Sequence, residues 1–352
     1  MPSDRSATTP SLRTVEDYFP GVPTPSVPVI DLGGRPGSGP STDVVRQVAD
    51  AAERFGFFQV VGHGIGAEWI DEVWSATAAF FEQPMAEKRR IMRTDANSRG
   101  YYDRELTKNV RDHKEVLDVA QTAHPDLPDD HPSNIHVVDG VNQWPDLVGF
   151  RSTMVRHMRA CNDVALWLLA AFCEGLGEHA DHLHREFGPG HTSFLRLNHY
   201  PVDDLLTPDE SSAVAGLGDM ALQHHTDSGA LTVLLQDEVG GLQVALDDGW
   251  IDVEPIPGAL VVNTGDMMQV WSNDRYRAAM HRVLPRSGVE RSSLPYFFNP
   301  SYSTVYSPLP GSIAPGDTAH YRPINWGDFR RARADGDYAD IGTEIQISHF
   351  AV

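Results

Sequence analysis

Cysteine is nearly absent: the 352 residues contain two. That excludes a disulfide-stapled scaffold. Cys161 and Cys173 fall in one stretch of helical pattern, where a separation of about 18 Å is beyond a disulfide's reach. Both read as buried thiols in a reducing compartment, which places the protein in the cytoplasm. Positive charge is also short. Lys and Arg number 28 against 49 Asp and Glu, a formal net charge of -21. Nucleic acid is disfavoured as a partner, because phosphates require a basic face, and so is an anionic membrane surface. Long apolar runs are missing too. None reaches the ~18 residues of a spanning helix, and Met1 to Pro25 has no apolar core of the kind a secretory signal carries. Acidity otherwise speaks to solubility, and a monomer or weak homo-oligomer is the expectation.

What is present suffices for a sizeable core, since 41% of the residues are apolar. Residues 1–26 are rich in Ser, Thr and Pro and read as a loose arm. Val27 to Leu32 reads as a short strand. Ser41 or Thr42 caps a helix over 43–55, whose Val44, Val45, Val48, Ala51, Ala52 and Phe55 share one face. A strand follows at 57–61, then helices at 67–82 and 85–91. Residues 93–145 are polar and irregular, and a loop of that length covers one side of a site more often than not. Tyr101, Tyr102 and Arg104 are its candidate substrate contacts, although surface positions are the commoner fate. His113, His124, His131 and His136 lack a metal spacing and read as solvated.

The longest helix, 152–177, carries a core stripe through Met158, Cys161, Ala165 and Phe172, placed across the back of a sheet. From Thr192 the period changes to that of strands, at 194–200, 221–225, 230–236, 242–246, 250–253, 259–263, 267–270, 278–284 and 294–298. Helices followed by short antiparallel strands give a mainly β protein with flanking helices, α+β in class. Its core is a double-stranded β-helix, or jelly roll. The chain divides into the arm, an N-terminal helical and strand region (27–150), a jelly-roll core with its supporting helix (151–305), and a C-terminal segment (306–352).

The chemistry concentrates in Gln223-His224-His225-Thr226-Asp227-Ser228-Gly229. Alternation on extended chain sends His225 and Asp227 to one side and His224 to the other. His281, in Ala279-Met280-His281-Arg282-Val283, is the third ligand candidate. Two imidazoles and one carboxylate on one face of a metal leave the opposite face open, the facial triad of non-haem Fe(II) oxygenases. A structural zinc site would instead be closed by four protein ligands. His-x-Asp alone is common by chance; the third His and a second motif raise its weight. That motif is Arg291-Ser292-Ser293-Leu294-Pro295-Tyr296-Phe297-Phe298. Arg291 and Ser293 share a strand face, and a guanidinium fork beside a hydroxyl is a carboxylate receptor.

At this point the chain resembles the 2-oxoglutarate- and Fe(II)-dependent dioxygenases, in the isopenicillin N synthase-like branch. Matching pieces run in order over about 27–305: Val27-Pro28-Val29-Ile30-Asp31-Leu32, Phe55-Gly56-Phe57-Phe58, Arg99-Gly100-Tyr101, Lys114-Glu115, Leu195-Arg196-Leu197-Asn198-His199-Tyr200-Pro201, Gly241-Leu242-Gln243-Val244, Asn263-Thr264-Gly265-Asp266 and the two motifs above. The resemblance implies Fe(II) held by His225, Asp227 and His281. It implies 2-oxoglutarate held at its far carboxylate by Arg291 and Ser293, with Tyr200 adding a hydroxyl and Asn198 near the metal-binding end. His199 replaces the family's usual Tyr, on the face away from Tyr200. Dioxygen would be the oxidant, with succinate and carbon dioxide released while a small specialised-metabolite-type substrate is hydroxylated, desaturated, cyclised or epoxidised. The carboxylate of Asp227 argues against halogenation. Tyr102, Leu222 and Phe298 are the candidate wall of the substrate pocket. The C-terminal segment would lie over the mouth as a lid, with Gln346 and Phe350 lining it.

Two other readings stay open on sequence. An oxidase of the isopenicillin N synthase type would use Arg291 and Ser293 on its substrate's own carboxylate and need no 2-oxoglutarate. A metal-binding jelly roll without catalysis would not need that receptor beside the triad. His63 and Asp266 read as structural, the latter as a turn former. Gly240-Gly241 and Gly216 to Gly218 lack the context of a phosphate loop.

Overall fold

Strands that read as continuous apolar runs are buried on both faces, and two of these, over 231–236 and 260–264, form the centre of the main sheet. In the computed structural model, residues 26–34, 37, 39–108, 110–122, 140–337 and 345–352 are described. The chain begins β1 (Val29–Asp31), α1 (Thr42–Arg54), β2 (Phe57–Val61), α2 (Ala67–Phe81), α3 (Met85–Lys88) and β3 (Gly100–Tyr102). Next come β4 (Leu106–Thr107), β5 (Val110–Arg111), β6 (Glu115–Ala120), α4 (Phe150–Gly175), β7 (Phe194–Tyr200) and α5 (Pro208–Ser212). Then follow β8 (Leu222–His225), β9 (Leu231–Gln236), β10 (Leu242–Leu246), β11 (Gly249–Asp252), β12 (Leu260–Thr264) and α6 (Asp266–Trp271). The chain closes with β13 (His281–Val283), β14 (Arg291–Phe298), β15 (Val305–Tyr306), β16 (Ile324–Asn325) and α7 (Trp326–Asp337).

Eight strands in the order β1-β2-β12-β9-β14-β7-β6-β3 make the large sheet, and β11-β10-β13-β8 make the small one. Only β1 and β2 pair in parallel within them. These are the two walls of the expected jelly roll. Helix α4 lies against β9 and β14 and buries Met158, Cys161, Ala165 and Phe172, as its stripe predicts. Helix α1 is capped by Ser41, whose Oγ accepts from the Val44 N–H, and its buried Val48, Ala51 and Ala52 face inward. Both cysteines are buried and in no disulfide among the described residues. No helix among the described residues is long and apolar enough to cross a membrane.

Two readings of the chain are corrected. The stretch 93–145 is not wholly irregular: it supplies β3 and β6 to the large sheet, and every residue of β6 is buried. Glu115 and Asp118 disguise that strand. Each is neutralised inside the fold, Glu115 by Lys88 at 2.7 Å and Asp118 by Arg196 at 2.7 Å. Residues 267–270 are helical rather than extended, inside α6, where Met267, Met268, Val270 and Trp271 are all buried. A short run that is buried all round has no period to separate helix from strand. The arm at 1–25 and His124, His131 and His136 lie outside the described residues.

Candidate active site

The small sheet delivers two histidines to one point. His225 ends β8, His281 begins β13, and the two are paired across the strands. The register slips between this pair and the next, Leu222 with Val283. Gln223 and His224 of β8 thus oppose the single Arg282 of β13, a bulge that turns Leu222 to the same face as His225. Asp227 follows in the loop after β8. Its carbonyl oxygen accepts the Asp266 N–H at 2.7 Å. Gly265 packs so closely that a Cβ there would overlap the carbonyl oxygens of Gly229 and Asp227. Ligand atoms of His225, Asp227 and His281 all lie within 4.8 Å of one another, the one such group among the described residues.

Hydrogen bonds fix which atoms face the common point. His225 Nδ1 donates to the Gln223 carbonyl at 2.8 Å, and His281 Nδ1 donates to the Ala279 carbonyl at 3.1 Å. A carbonyl only accepts, so each ring carries its proton on Nδ1 and presents Nε2 as a lone pair. Asp227 Oδ2 accepts from Thr232 Oγ1 at 2.5 Å and from Asn263 Nδ2 at 2.8 Å. Its other oxygen, Oδ1, stands 3.7 Å from each Nε2. Burial, then the neighbouring His281, pushes the His225 imidazolium down to about 3, which keeps that ring neutral at physiological pH. Burial alone would raise the Asp227 carboxyl. The two histidines and the bonds from Asn263 and Thr232 outweigh it and hold the group below its usual range. Two imidazoles with Nε2 turned inward and one carboxylate, each oriented by a further partner, fit a borderline divalent transition metal such as Fe(II) that needs open positions.

The large sheet builds the second receptor. Arg291 pairs with Tyr200 and Ser293 with Asn198 across β14 and β7, so the four side chains share one face. Arg291 Nη1 donates to Ser293 Oγ at 3.2 Å, and its guanidinium lies over the Tyr200 ring at 5.0 Å. Asn198 Nδ2 donates to Ser293 Oγ at 3.3 Å. Gln236, missed on sequence, sits opposite Ser293 on β9 and accepts from Arg291 Nη2 at 3.3 Å. Only the strand register could have revealed it. Arg291 is 4% exposed and forms no ion pair among the described residues. Its Nε and the Asn198 Oδ1 are buried without a partner there. A buried cation in that condition requires an anion, and the fork-and-hydroxyl arrangement fits a carboxylate.

Other candidates divide. Tyr102 pairs with Val116, which pairs with Asn198, so Tyr102 lies on the receptor face, with the Arg93 guanidinium stacked 3.8 Å from its ring centroid. Leu222 shares the face of His225. Phe298 does not reach the site. Alternation from Arg291 and Ser293 puts Phe297 on their face and Phe298 on the opposite one, where its ring stacks on Phe187 at 3.9 Å. Tyr101 is wholly buried and donates to Glu115 at 2.6 Å, and Arg104 binds Glu210. Through Leu117 and Leu197, Tyr101 falls on the face away from Asn198 and the receptor. His199 faces away, as expected, and holds Glu115 at 2.8 Å. His63 bonds the Gly258 carbonyl at 2.7 Å. Asp266 opens α6 instead of a turn, and Arg333 bonds its carboxylate at 3.3 Å. Gln346 accepts from Arg333 and Phe350 packs on Phe329.

A jelly roll with a His-Asp-His face and a buried carboxylate receptor defines a non-haem iron oxygenase. Comparison with known proteins places it further. Residues 191–300 match the model of the 2OG-Fe(II) oxygenase superfamily, and residues 27–147 match that of the non-haem dioxygenase in morphine synthesis N-terminal region. Feruloyl CoA ortho-hydroxylase 2 of Arabidopsis thaliana is 35% identical over 330 residues, covering 90% of this chain and 83% of that protein. Among solved structures, JOX2 in complex with 2OG, Fe and JA aligns with a TM-score of 0.72 at 27% identity, over 92% of this chain and 90% of that one. The dioxygenase for auxin oxidation of rice aligns with a TM-score of 0.70 at 26% identity, over 93% and 100%. The chain belongs to the 2OG-Fe(II) oxygenase superfamily. It is an oxidoreductase whose cofactors are Fe(II), 2-oxoglutarate and dioxygen.

Proposed function

We propose that His225, Asp227 and His281 hold the iron, and that Arg291 with Ser293 anchors the far carboxylate of 2-oxoglutarate. Tyr200 and Asn198 complete that receptor. The observation that carries the assignment is Arg291: buried, aligned with Ser293, and without a carboxylate among the described residues. Iron and 2-oxoglutarate bound there supply dioxygen-driven oxidation of the substrate, with succinate and carbon dioxide released. The protein's own share is geometric and electrostatic. The backbone carbonyls of Gln223 and Ala279 keep both imidazoles turned Nε2-inward. Asn263 and Thr232 hold the Asp227 carboxylate in one orientation. The sheets exclude water from the receptor.

The substrate we infer is a small organic molecule of the specialised-metabolite kind, most simply hydroxylated. Tyr102, Leu222 and Phe297 form its wall, with Phe297 in the place expected of Phe298. The C-terminal segment covers this side of the barrel. The protein works as a monomer or weak homo-oligomer in the cytoplasm, a setting that suits two buried cysteines outside any disulfide and a strongly acidic chain.

Anaerobic titration with Fe(II) and then 2-oxoglutarate tests the assignment. A visible charge-transfer band of the chelated keto acid, weakened in Arg291→Ala, supports it. Iron bound without a band overturns the 2-oxoglutarate anchor and favours a substrate that brings its own carboxylate to Arg291.

A further inference from the structure

One side chain of the C-terminal segment reaches the loop that carries Asp227. Arg333, on α7, is 6% exposed. Its Nη2 donates to Thr226, to the carbonyl at 3.4 Å and to Oγ1 at 3.5 Å. Thr226 is the residue between His225 and Asp227. Arg333 Nη1 donates to Asp266 Oδ2 at 3.3 Å, to the Ile345 carbonyl at 3.2 Å and to Gln346 Oε1 at 2.9 Å. Asp266 is itself fastened to the loop through its N–H on the Asp227 carbonyl, at 2.7 Å. A single planar guanidinium therefore joins the ligand loop, the start of α6 and the stretch of chain that leads into the last turn, Ile347–Phe350. Helix α7 is held beside them by Trp326, whose Nε1 donates to Thr192 Oγ1 at 2.9 Å, and by Phe329 against Phe350.

We propose that Arg333 is a positioning residue that couples the seating of the C-terminal segment to the order of the metal loop. This rests on His225, Asp227 and His281 being the ligands. The physical ground is that the fork uses its donors on both partners at once, and a rigid fork cannot keep one set of bonds while the other moves away. Whatever orders Thr226 favours Arg333 in its seat, and so favours Ile345 and Gln346 in theirs. Coupling of this kind is reciprocal: a metal that orders the loop must tighten the C-terminal segment by the same factor by which that segment tightens metal. A guanidinium with a merely structural role would stabilise the apo-protein and leave metal affinity alone.

The test uses the full chain, with Co(II) under anaerobic conditions as the metal probe. Hydrogen exchange over residues 345–352 is followed with and without Co(II), and Co(II) affinity is read from its visible absorption. In the parent, Co(II) should slow exchange of 345–352. Arg333→Ala should weaken Co(II) roughly tenfold, in the range of outer-shell partners of a metal site, and erase the metal-dependent protection. Arg333→Lys and Gln346→Ala keep Asp266 within reach of a cation, so they serve if Arg333→Ala fails to fold. Each should weaken Co(II) about two- to threefold, a fraction of that outer-shell effect, and reduce the protection in step. Folded variants that bind Co(II) as the parent does would overturn the coupling alone. So would equal exchange of 345–352 with and without metal. Parent-like Co(II) binding by Asp227→Ala would instead overturn the ligand assignment and the coupling together.

Discussion

Asn263 Nδ2 donates to Asp227 Oδ2 at 2.8 Å, and both side chains are buried. With Thr232 on the same oxygen, this bond leaves Oδ1 as the atom that faces the two histidines. An outer partner that orients a ligand typically changes metal affinity about 10- to 100-fold when it is lost. Asn263→Ala should therefore weaken Co(II) or Fe(II) by about tenfold, because Thr232 still holds the carboxylate. Asp227→Ala should abolish iron-dependent turnover while far-ultraviolet circular dichroism stays native. Full activity in Asp227→Ala would remove that residue from the ligand set.

Arg291 gives the second prediction. Truncating one side of a buried, hydrogen-bonded charge pair costs about 2–5 kcal/mol, so Arg291→Ala should raise the 2-oxoglutarate dissociation constant by roughly 100-fold. Fe(II) affinity should be unchanged, since Arg291 contacts none of the three ligands. Isothermal titration with each component separates the two. An unchanged 2-oxoglutarate constant would take the anchor away from Arg291.

The parts of the fold that sequence reveals are those with a period or a fixed local chemistry. Arg291 and Ser293 are two apart on β14, so alternation alone sets their face. His225 and Asp227 are also two apart, but Asp227 lies past the end of β8 and is fixed by the Asp266 N–H on its carbonyl. The same alternation, carried on from Arg291, lands on Phe297 and not on Phe298, so the residue proposed for the wall could have been read from the sequence. Strand β6 is hidden for a different reason. Its buried Glu115 and Asp118 depend on Lys88 and Arg196, which only the finished sheet brings near. Gln236 enters the receptor through strand register, and Arg333 reaches Thr226 through tertiary packing. Neither carries a mark in its own neighbourhood.

Phe297 and Phe298 should behave as opposites. Phe298 is wholly buried against Phe187, and emptying such a site costs about 3–5 kcal/mol. Phe298→Ala should lower the urea midpoint sharply and leave substrate preference alone in whatever folds. Phe297, half-buried beside Phe194 on the receptor face, should when changed to Ala keep more of its stability and alter KM or product distribution. Equal loss of stability in both variants, with no change in selectivity, would count against Phe297 as a wall.

His157 should make the metal-free protein sensitive to mild acid. It sits on α4 with no exposed surface, 3.6 Å from Cys161 Sγ, and burial pushes its pKa down to about 4. In the unfolded chain the ring titrates near its ordinary value of about 6.5. Between those values the unfolded state binds a proton that the folded state refuses, so stability rises with pH and is lost as pH falls. The contribution is fully present above about pH 6.5 and costs about 2 kcal/mol by about pH 5. His225 titrates in the same direction, so the parent alone cannot isolate the effect. The comparison is urea unfolding of the parent and His157→Leu at about pH 7.5 and about pH 5, a window above most carboxylates. The variant should lose about 2 kcal/mol less than the parent across that interval, whatever its stability at the upper end. Identical pH slopes in the two proteins would show that His157 keeps its ordinary proton affinity in the fold.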